Sequence, residues 1–166
     1  MVSIRMINEE DAEKLLALNK QLDQESNYML FEPFERKTTI EQQGNIITTF
    51  RNSTNSTIIV AEHDNRLVGH LTVIGGNTNR IRHRAQIVIG ILEEFNGKGI
   101  GTRLFNELEH WRINNHVNRL ELTVMVHNER AIRLYKKMGF EIEGIKKNSL
   151  IVDGNCVDEY YMGKTY

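Results

Sequence analysis

Residues 95–102 read Phe-Asn-Gly-Lys-Gly-Ile-Gly-Thr and constrain the fold more than any other part of the chain. They stand between a strand-like run, residues 85–92, and an amphipathic segment typical of a helix. Three glycines at alternate positions leave the main chain bare, because glycine has no Cβ to hold a ligand away. Consecutive N–H groups at such a turn, followed by a helix N-terminus, form a site for phosphate oxygens. The sequence therefore predicts a strand–loop–helix unit that holds a phosphorylated small molecule, with Lys98 as a flexible cation beside it.

The order of apolar and polar residues predicts the other elements. Seven strands are expected at residues 2–6, 57–61, 67–74, 83–92, 120–126, 140–151 and 157–162. Four helices are expected: residues 8–23, a segment that begins with capping-box spacing at Thr38 and Glu41, the segment from the glycine loop to about residue 115, and a short helix between Asn128 and Gly139. A central mixed sheet flanked by helices, of the α/β class, would bury the apolar faces of these elements.

Length and charge narrow the class of protein. The 166 residues suit one domain with a full core, so we expect a single domain over residues 1–166. The net charge of −1 provides no basic field to attract nucleic acid or an anionic membrane. Residues 1–10 carry charges where a secretion signal needs an apolar run, and the single cysteine, Cys156, forms no internal disulfide. These features predict a cytoplasmic protein with neither nucleic-acid nor membrane partners.

Two motifs carry a family resemblance. The first is Asn96-Gly97-Lys98-Gly99-Ile100-Gly101, and the second is Asn128-x-x-Ala131-x-x-Leu134-Tyr135-x-Lys137-x-Gly139-Phe140. Both resemble the GNAT superfamily of acyl-CoA-dependent N-acetyltransferases, whose phosphate loop reads Gln/Arg-x-x-Gly-x-Gly/Ala; Asn96 departs from its first position. The resemblance covers essentially the whole chain and implies a mostly antiparallel, twisted sheet of about seven strands with about four helices. The C-terminal third resembles the branch that acetylates protein N-termini, polyamines or small amines.

The resemblance also implies how acetyl-CoA, the co-substrate, would bind. Pantetheine would lie along residues 89–92 and contact Ile91 and Leu92, where Gly90 occupies the place of a bulge that splays this strand from its neighbour. The residues implied at the pyrophosphate are Asn96, Gly97, Lys98, Gly99, Ile100, Gly101 and Thr102. Asn128 would approach the pantetheine arm. The phosphates could meet Lys98, Arg103 or Lys137, and the sequence leaves that choice open.

The implied reaction is attack of an amine on the thioester. An N–H near Ile91 or Leu92 would stabilise the oxyanion. Tyr135 would give the departing thiolate a proton, and Glu93 and Glu94 are candidate bases that act through water. No metal is expected, because the histidines show no metal-ligand spacing.

The acceptor remains open from sequence. The family resemblance implies a site formed by residues 24–36 and 146–159, whose members could steer or wall an amine: Glu25, Tyr28, Phe31, Glu32, Phe34 and Glu35. A solvated loop with aromatic anchors is an equal alternative. The acceptor would be a small-molecule amine or a protein N-terminus, and relatives that dimerise make a homodimer a further expectation.

Two rival functions remain. A catalytically silent sensor or scaffold that binds CoA would keep the same loop. A dinucleotide oxidoreductase is less consistent with the sequence, because Gly101 comes one position too early for that fingerprint and Glu121 falls inside a strand.

Overall fold

The computed structural model describes residues 1–166. Seven strands form one sheet: β1 (Ser3–Met6), β2 (Thr57–His63), β3 (Arg66–Gly75), β4 (Arg84–Ile91), β5 (Arg119–Met125), β6 (Glu141–Val152) and β7 (Asn155–Thr165). Four α-helices accompany it: α1 (Ala12–Glu25), α2 (Ile40–Arg51), α3 (Ile100–Asn114) and α4 (Glu129–Lys137). The predicted number and order of strands and α-helices are confirmed.

The sheet has the strand order β1-β2-β3-β4-β5-β7-β6. Every neighbouring pair is antiparallel except β4 and β5, which are parallel. The mixed, mostly antiparallel sheet that the resemblance implied is therefore confirmed.

The β4 and β5 strands pair only at their beginnings. Their register ends at Gln86 and Glu121, although both strands continue beyond these residues. The opening has no bulge at Gly90, because β3 and β4 pair without interruption from Gly75–Ala85 to Gly69–Ile91. The expected bulge is thus wrong: the gap arises because β5 turns away from β4, while β4 stays on β3.

The helices cover opposite faces of the sheet. A Cβ added to Gly90 would lie 2.7 Å from Leu22 of α1, whereas the neighbouring Ile91 side chain reaches the vicinity of Gly101 on α3. Consecutive strand residues point to opposite faces, so α1 and α3 lie on opposite sides of β4. The α4 helix packs on the α3 side through Leu134.

Local signals set several element ends. Asp64 and Asn65, both with positive φ angles, form the turn between β2 and β3, as expected. Helix α2 begins one residue later than predicted, because Thr39 caps it by accepting from the Gln42 N–H at 3.1 Å. The expected Thr38–Glu41 capping box is therefore wrong.

None of the helices combines the length and the apolar character needed to cross a bilayer.

Candidate active site

The gap between β4 and β5 exposes main-chain groups of β4. The Leu92 N–H donates to Val68 O at 2.9 Å, so Leu92 faces β3. Because main-chain groups alternate in direction along an antiparallel strand, those of Ile89 and Ile91 face the gap. Of the two N–H groups expected to stabilise an oxyanion, Ile91's is aimed at the gap and Leu92's is already used.

The glycine loop carries a run of free donors. None of the six N–H groups from Gly97 to Thr102 donates to an acceptor in the chain. The last three belong to the first turn of α3, where a helix has no internal partners for them. Bare donors and the positive end of a helix are therefore directed at one small region beside the end of β4.

The three glycines of the loop are required for two different reasons. Gly97 and Gly99 have φ angles of +73° and +75°, in the left-handed region that other residues avoid. Neither has an atom within 4 Å of an added Cβ, so the space above the loop is open. Gly101 instead allows α3 to approach α4, because a Cβ there would lie 2.7 Å from Leu134 Cδ2.

The structure separates the three candidate phosphate cations. Lys137 Nζ lies 3.3 Å from Thr102 Oγ1, at the N-terminus of α3. Arg103 is directed away, since its guanidinium donates to Val2 O at 2.9 Å. Lys98 Nζ stands 4.9 Å from the centre of the Phe95 ring. Of the three cations, Lys137 is thus the one that a hydrogen bond holds beside the free N–H groups of the loop.

Helix α4 carries two further predicted residues of the second motif, Asn128 at its N-cap and Tyr135 on its buried face. Asn128 caps the helix by accepting a 3.4 Å hydrogen bond from the Ala131 N–H. Tyr135 is buried with 7% of its surface exposed, and its ring packs against Phe105 and Phe140. Burial raises the pKa of Tyr135 above its ordinary value, so its hydroxyl keeps its proton at neutral pH.

The two candidate bases lie at the outer end of β4. Glu93 and Glu94 are exposed on a single 3-10 turn, Glu93–Phe95. Glu94 forms an ion pair with Arg66 of β3 at 3.2 Å, so its carboxylate leans away from β5. Glu93 has no side-chain partner, but its N–H donates to Glu25 Oε1 at 2.7 Å.

The loop after α1 crosses to the far side of the gap. The Tyr28 ring lies 5.3 Å from the ring of His127, which follows β5. Arg36 makes two hydrogen bonds to the buried Asp23 carboxylate, at 2.7 and 3.1 Å, and stacks on Phe31. The predicted acceptor loop is therefore an ordered structure over the α1 face of the gap. Glu32 and Glu35 lie in this loop but remain exposed, and Phe34 is 77% exposed.

Sequence reasoning missed His70 and Thr72, which lie on the same face of β3. His70 Nδ1 is 3.0 Å from Thr72 Oγ1, and His70 Nε2 is buried without a partner. An unsatisfied buried polar atom costs about 1–3 kcal/mol, so its presence needs an explanation. The sequence around His70 does not mark it as a site residue, because only the fold places Gly90 opposite it.

The parallel strands β4 and β5 part beside a glycine loop whose free N–H groups lie at a helix N-terminus, an arrangement that can accept an extended, phosphorylated ligand. The sequence model of the Acetyltransferase (GNAT) family matches residues 18–140. The chain therefore belongs to that family.

Known proteins resemble the chain in sequence and fold. The L-amino acid N-acetyltransferase AaaT of Escherichia coli strain K12 is 38% identical over 110 residues, which are 64% of this chain and 66% of that protein. The match thus spans just under two thirds of that relative's length. A GNAT-family acetyltransferase from Streptococcus pneumoniae has a TM-score of 0.95 at 26% identity, over 99% of both chains. The yncA structure from Salmonella typhimurium, solved with its cofactor acetyl-CoA, shares the fold with a TM-score of 0.87 at 14% identity, over 99% of this chain and 93% of that one.

Proposed function

We propose that this protein transfers an acetyl group from acetyl-CoA to a primary amine, by direct attack in a ternary complex. The observation that carries the proposal is the set of six unpartnered N–H groups from Gly97 to Thr102, next to a strand whose gap-facing main chain is also unpaired. A diphosphate and a chain of amides are the chemistry that would satisfy both. Coenzyme A contains both groups, and the yncA structure was solved with acetyl-CoA.

The cofactor would lie from the glycine loop back along β4. Its pyrophosphate would take the N–H groups of the loop and the charge of Lys137, with the Asn96 side chain at the edge of the site. Its pantetheine amides would pair with the main chain of Ile89 and Ile91, beside Asn128. Leu92 would contribute packing alone, because its N–H and C=O already bond to Val68 and Phe95.

The chain's own groups would then serve the transfer. A gap-facing N–H of β4 that the pantetheine amides leave free would stabilise the negative charge that develops on the thioester oxygen when the amine attacks. Tyr135 would donate a proton to the thiolate as the C–S bond breaks: its raised pKa keeps the hydroxyl protonated until that step, and burial of the thiolate, which raises the thiol pKa as well, offsets the weaker acidity of the phenol. Glu93, which has a free carboxylate, is a better candidate than the ion-paired Glu94 to take the ammonium proton through water.

The acceptor would approach from the α1 face, since α3 and α4 cover the other. A primary amine fits the acidic side chains at this entrance, Glu25 and Glu93 among them, by charge. An L-amino acid is one candidate class, because the relative AaaT carries that name. Residues 1–166 would work as one acetyltransferase domain in the cytoplasm, and the expected homodimer stays a prediction.

Thermal-shift and thiol-release measurements together test this function. Acetyl-CoA should raise the unfolding temperature by binding the folded state, and a nicotinamide dinucleotide at the same concentration should not. A panel of amino acids, polyamines and short peptides should then reveal amine-dependent release of free thiol. A thermal shift without thiol release for any amine would favour the alternative, a CoA-binding sensor or scaffold. Absence of the shift would exclude both functions.

A further inference from the structure

His70 is a buried polar residue whose contacts do not explain its presence. It is 5% exposed, and its only hydrogen-bond partner is Thr72 Oγ1, at 3.0 Å from Nδ1. Its other ring nitrogen, Nε2, has no partner. An apolar side chain of similar size would fill the same space without leaving a polar atom unsatisfied, so packing alone does not favour histidine here.

The position of this pair points to the acetyl-transfer site. His70 lies opposite Gly90 and Thr72 lies opposite Val88 in the ladder between β3 and β4. A Cβ on Gly90 would approach His70 Nε2 to 3.3 Å, so the imidazole extends over β4 where β4 has no side chain. Both residues thus stand one strand away from the gap-facing main chain of Ile89, on the face that α3 and α4 leave free.

Thr72 is the accessible member of the pair. It is half-buried, and Val88 opposite it is 39% exposed, so the sheet is open at this level. Leu22 closes the space above Gly90, next to His70. A ligand on this face could therefore meet the Thr72 hydroxyl, while His70 stays beneath the end of α1.

The protonation state of His70 suits a hydrogen-bond acceptor. Burial, with a smaller contribution from Arg36, lowers the pKa of His70 to about 4. Arg36, the charged group that acts on the ring, is in turn bound to the Asp23 carboxylate of α1. The ring is neutral at neutral pH, and in the tautomer that carries its proton on Nε2 the Nδ1 lone pair accepts the Thr72 proton in a hydrogen bond.

We propose that Thr72 Oγ1 accepts a hydrogen bond from the acceptor amine, and that His70 is a positioning residue that fixes the Thr72 hydroxyl for this purpose. With its own proton directed to His70 Nδ1, the hydroxyl presents only lone pairs to the open face. An amine N–H bonded there turns the nitrogen lone pair toward the thioester carbon. This proposal rests on the acetyltransferase function and specifies how its acceptor is oriented.

The test compares Thr72→Val, which removes the hydroxyl and keeps the shape, with Thr72→Ser, which keeps the hydroxyl. Thr72→Val should lower kcat/KM for the amine about 10- to 100-fold, the effect of losing one hydrogen bond to a polar or charged group. Thr72→Ser should keep kcat/KM for the amine within about 3-fold of the wild-type value, as expected if the oxygen and not the methyl group acts. The KM for acetyl-CoA and the thermal shift that it causes should stay at the wild-type values in both. Thr57→Val, a half-buried threonine on β2, is the matched control.

The positioning role of His70 is tested with two amide variants that each replace one of its ring nitrogens. His70→Asn keeps a polar atom near the position of Nδ1 and should retain more activity than His70→Gln, which places its amide nearer the position of Nε2. Equal kcat/KM for Thr72→Val and the wild type, or equal losses in Thr72→Val and Thr72→Ser, would overturn the proposal while the enzyme remained an acetyltransferase. If the wild type released no thiol with any amine, the function and this inference would be rejected together.

Discussion

The Glu93 N–H donates a 2.7 Å hydrogen bond to Glu25 Oε1, which ties the last residue of α1 to the chain just beyond β4. Three residues later, Tyr28 packs against His127 on the β5 side, with ring centres 5.3 Å apart. The short segment between Glu25 and Tyr28 is therefore held on both sides of the gap. In the proposed function, this segment would cover the entrance through which an acceptor reaches the thioester.

Loss of the Glu25 carboxylate should weaken acceptor binding. Glu25→Ala should raise the KM for the amine about 5-fold, because a net hydrogen bond contributes about 1 kcal/mol and its loss frees the segment. Glu25→Gln keeps an oxygen that accepts from the Glu93 N–H, so its KM for the amine should lie between the values of the wild type and Glu25→Ala. Steady-state kinetics with each substrate varied in turn would measure both values.

The control for this prediction is Glu41→Ala, an exposed glutamate at the start of α2. It should leave both KM values unchanged. A rise in the KM for acetyl-CoA in Glu25→Ala, with the amine KM unaffected, would contradict the assignment of this segment to the acceptor.

Gly99→Ala should impair acetyl-CoA binding more than it impairs folding. The substitution places a Cβ at φ +75°, which costs about 1 kcal/mol of backbone strain, and adds an atom above the free N–H groups. Gly154→Ala is a matched control, because Gly154 also has a positive φ, +79°, and open space around it, but it lies in the β6–β7 turn. Denaturant unfolding should show similar losses of stability for both variants, and only Gly99→Ala should lose affinity for acetyl-CoA in calorimetric titration. Equal affinity in the two variants would show that the loop does not hold the cofactor.

The glycine loop and the ends of α4 could be predicted from sequence because their causes are local. A positive φ at Gly97 and Gly99, and the cap at Asn128, depend on a few neighbouring residues. The start of α2 differs from the prediction by one residue for an equally local reason. Thr38 with Glu41 and Thr39 with Gln42 both have capping-box spacing, and the sequence does not distinguish them.

The acceptor face could not be predicted, because distant segments build it. The Tyr28–His127 contact joins the loop after α1 to the end of β5, and the Glu25–Glu93 hydrogen bond joins α1 to β4. His70 acquires its significance only from Gly90, which the β3–β4 register places opposite it. No periodicity or spacing within one segment reports such pairings.

Tyr135→Phe should reduce turnover with little change in stability. The hydroxyl makes no hydrogen bond within the chain, whereas the ring packs on Phe105 and Phe140. Removal of the oxygen alone should therefore keep the packing and lower kcat about 100-fold, the lower range for loss of a general acid. Tyr135→Ala would also lose several kcal/mol of unfolding free energy, about 3–5 for a large buried aromatic side chain. Tyr161→Phe, at an exposed tyrosine on β7, is the control, and an unchanged kcat in Tyr135→Phe would assign the proton to another donor.

Acidification should destabilise the protein through His70 before the carboxylates titrate. Its pKa in the folded protein is about 4, below the ordinary value of 6.5, so the unfolded chain binds a proton that the folded chain excludes. The contribution of His70 is fully present above pH 6.5 and is lost as the pH falls toward 4. Between pH 7.5 and 5 this loss amounts to about 2 kcal/mol of unfolding free energy. Urea unfolding across this range should show that decline in the wild type and a nearly flat profile in His70→Asn. The same decline in both proteins would assign the pH dependence to other groups and would contradict a neutral, buried imidazole at this position.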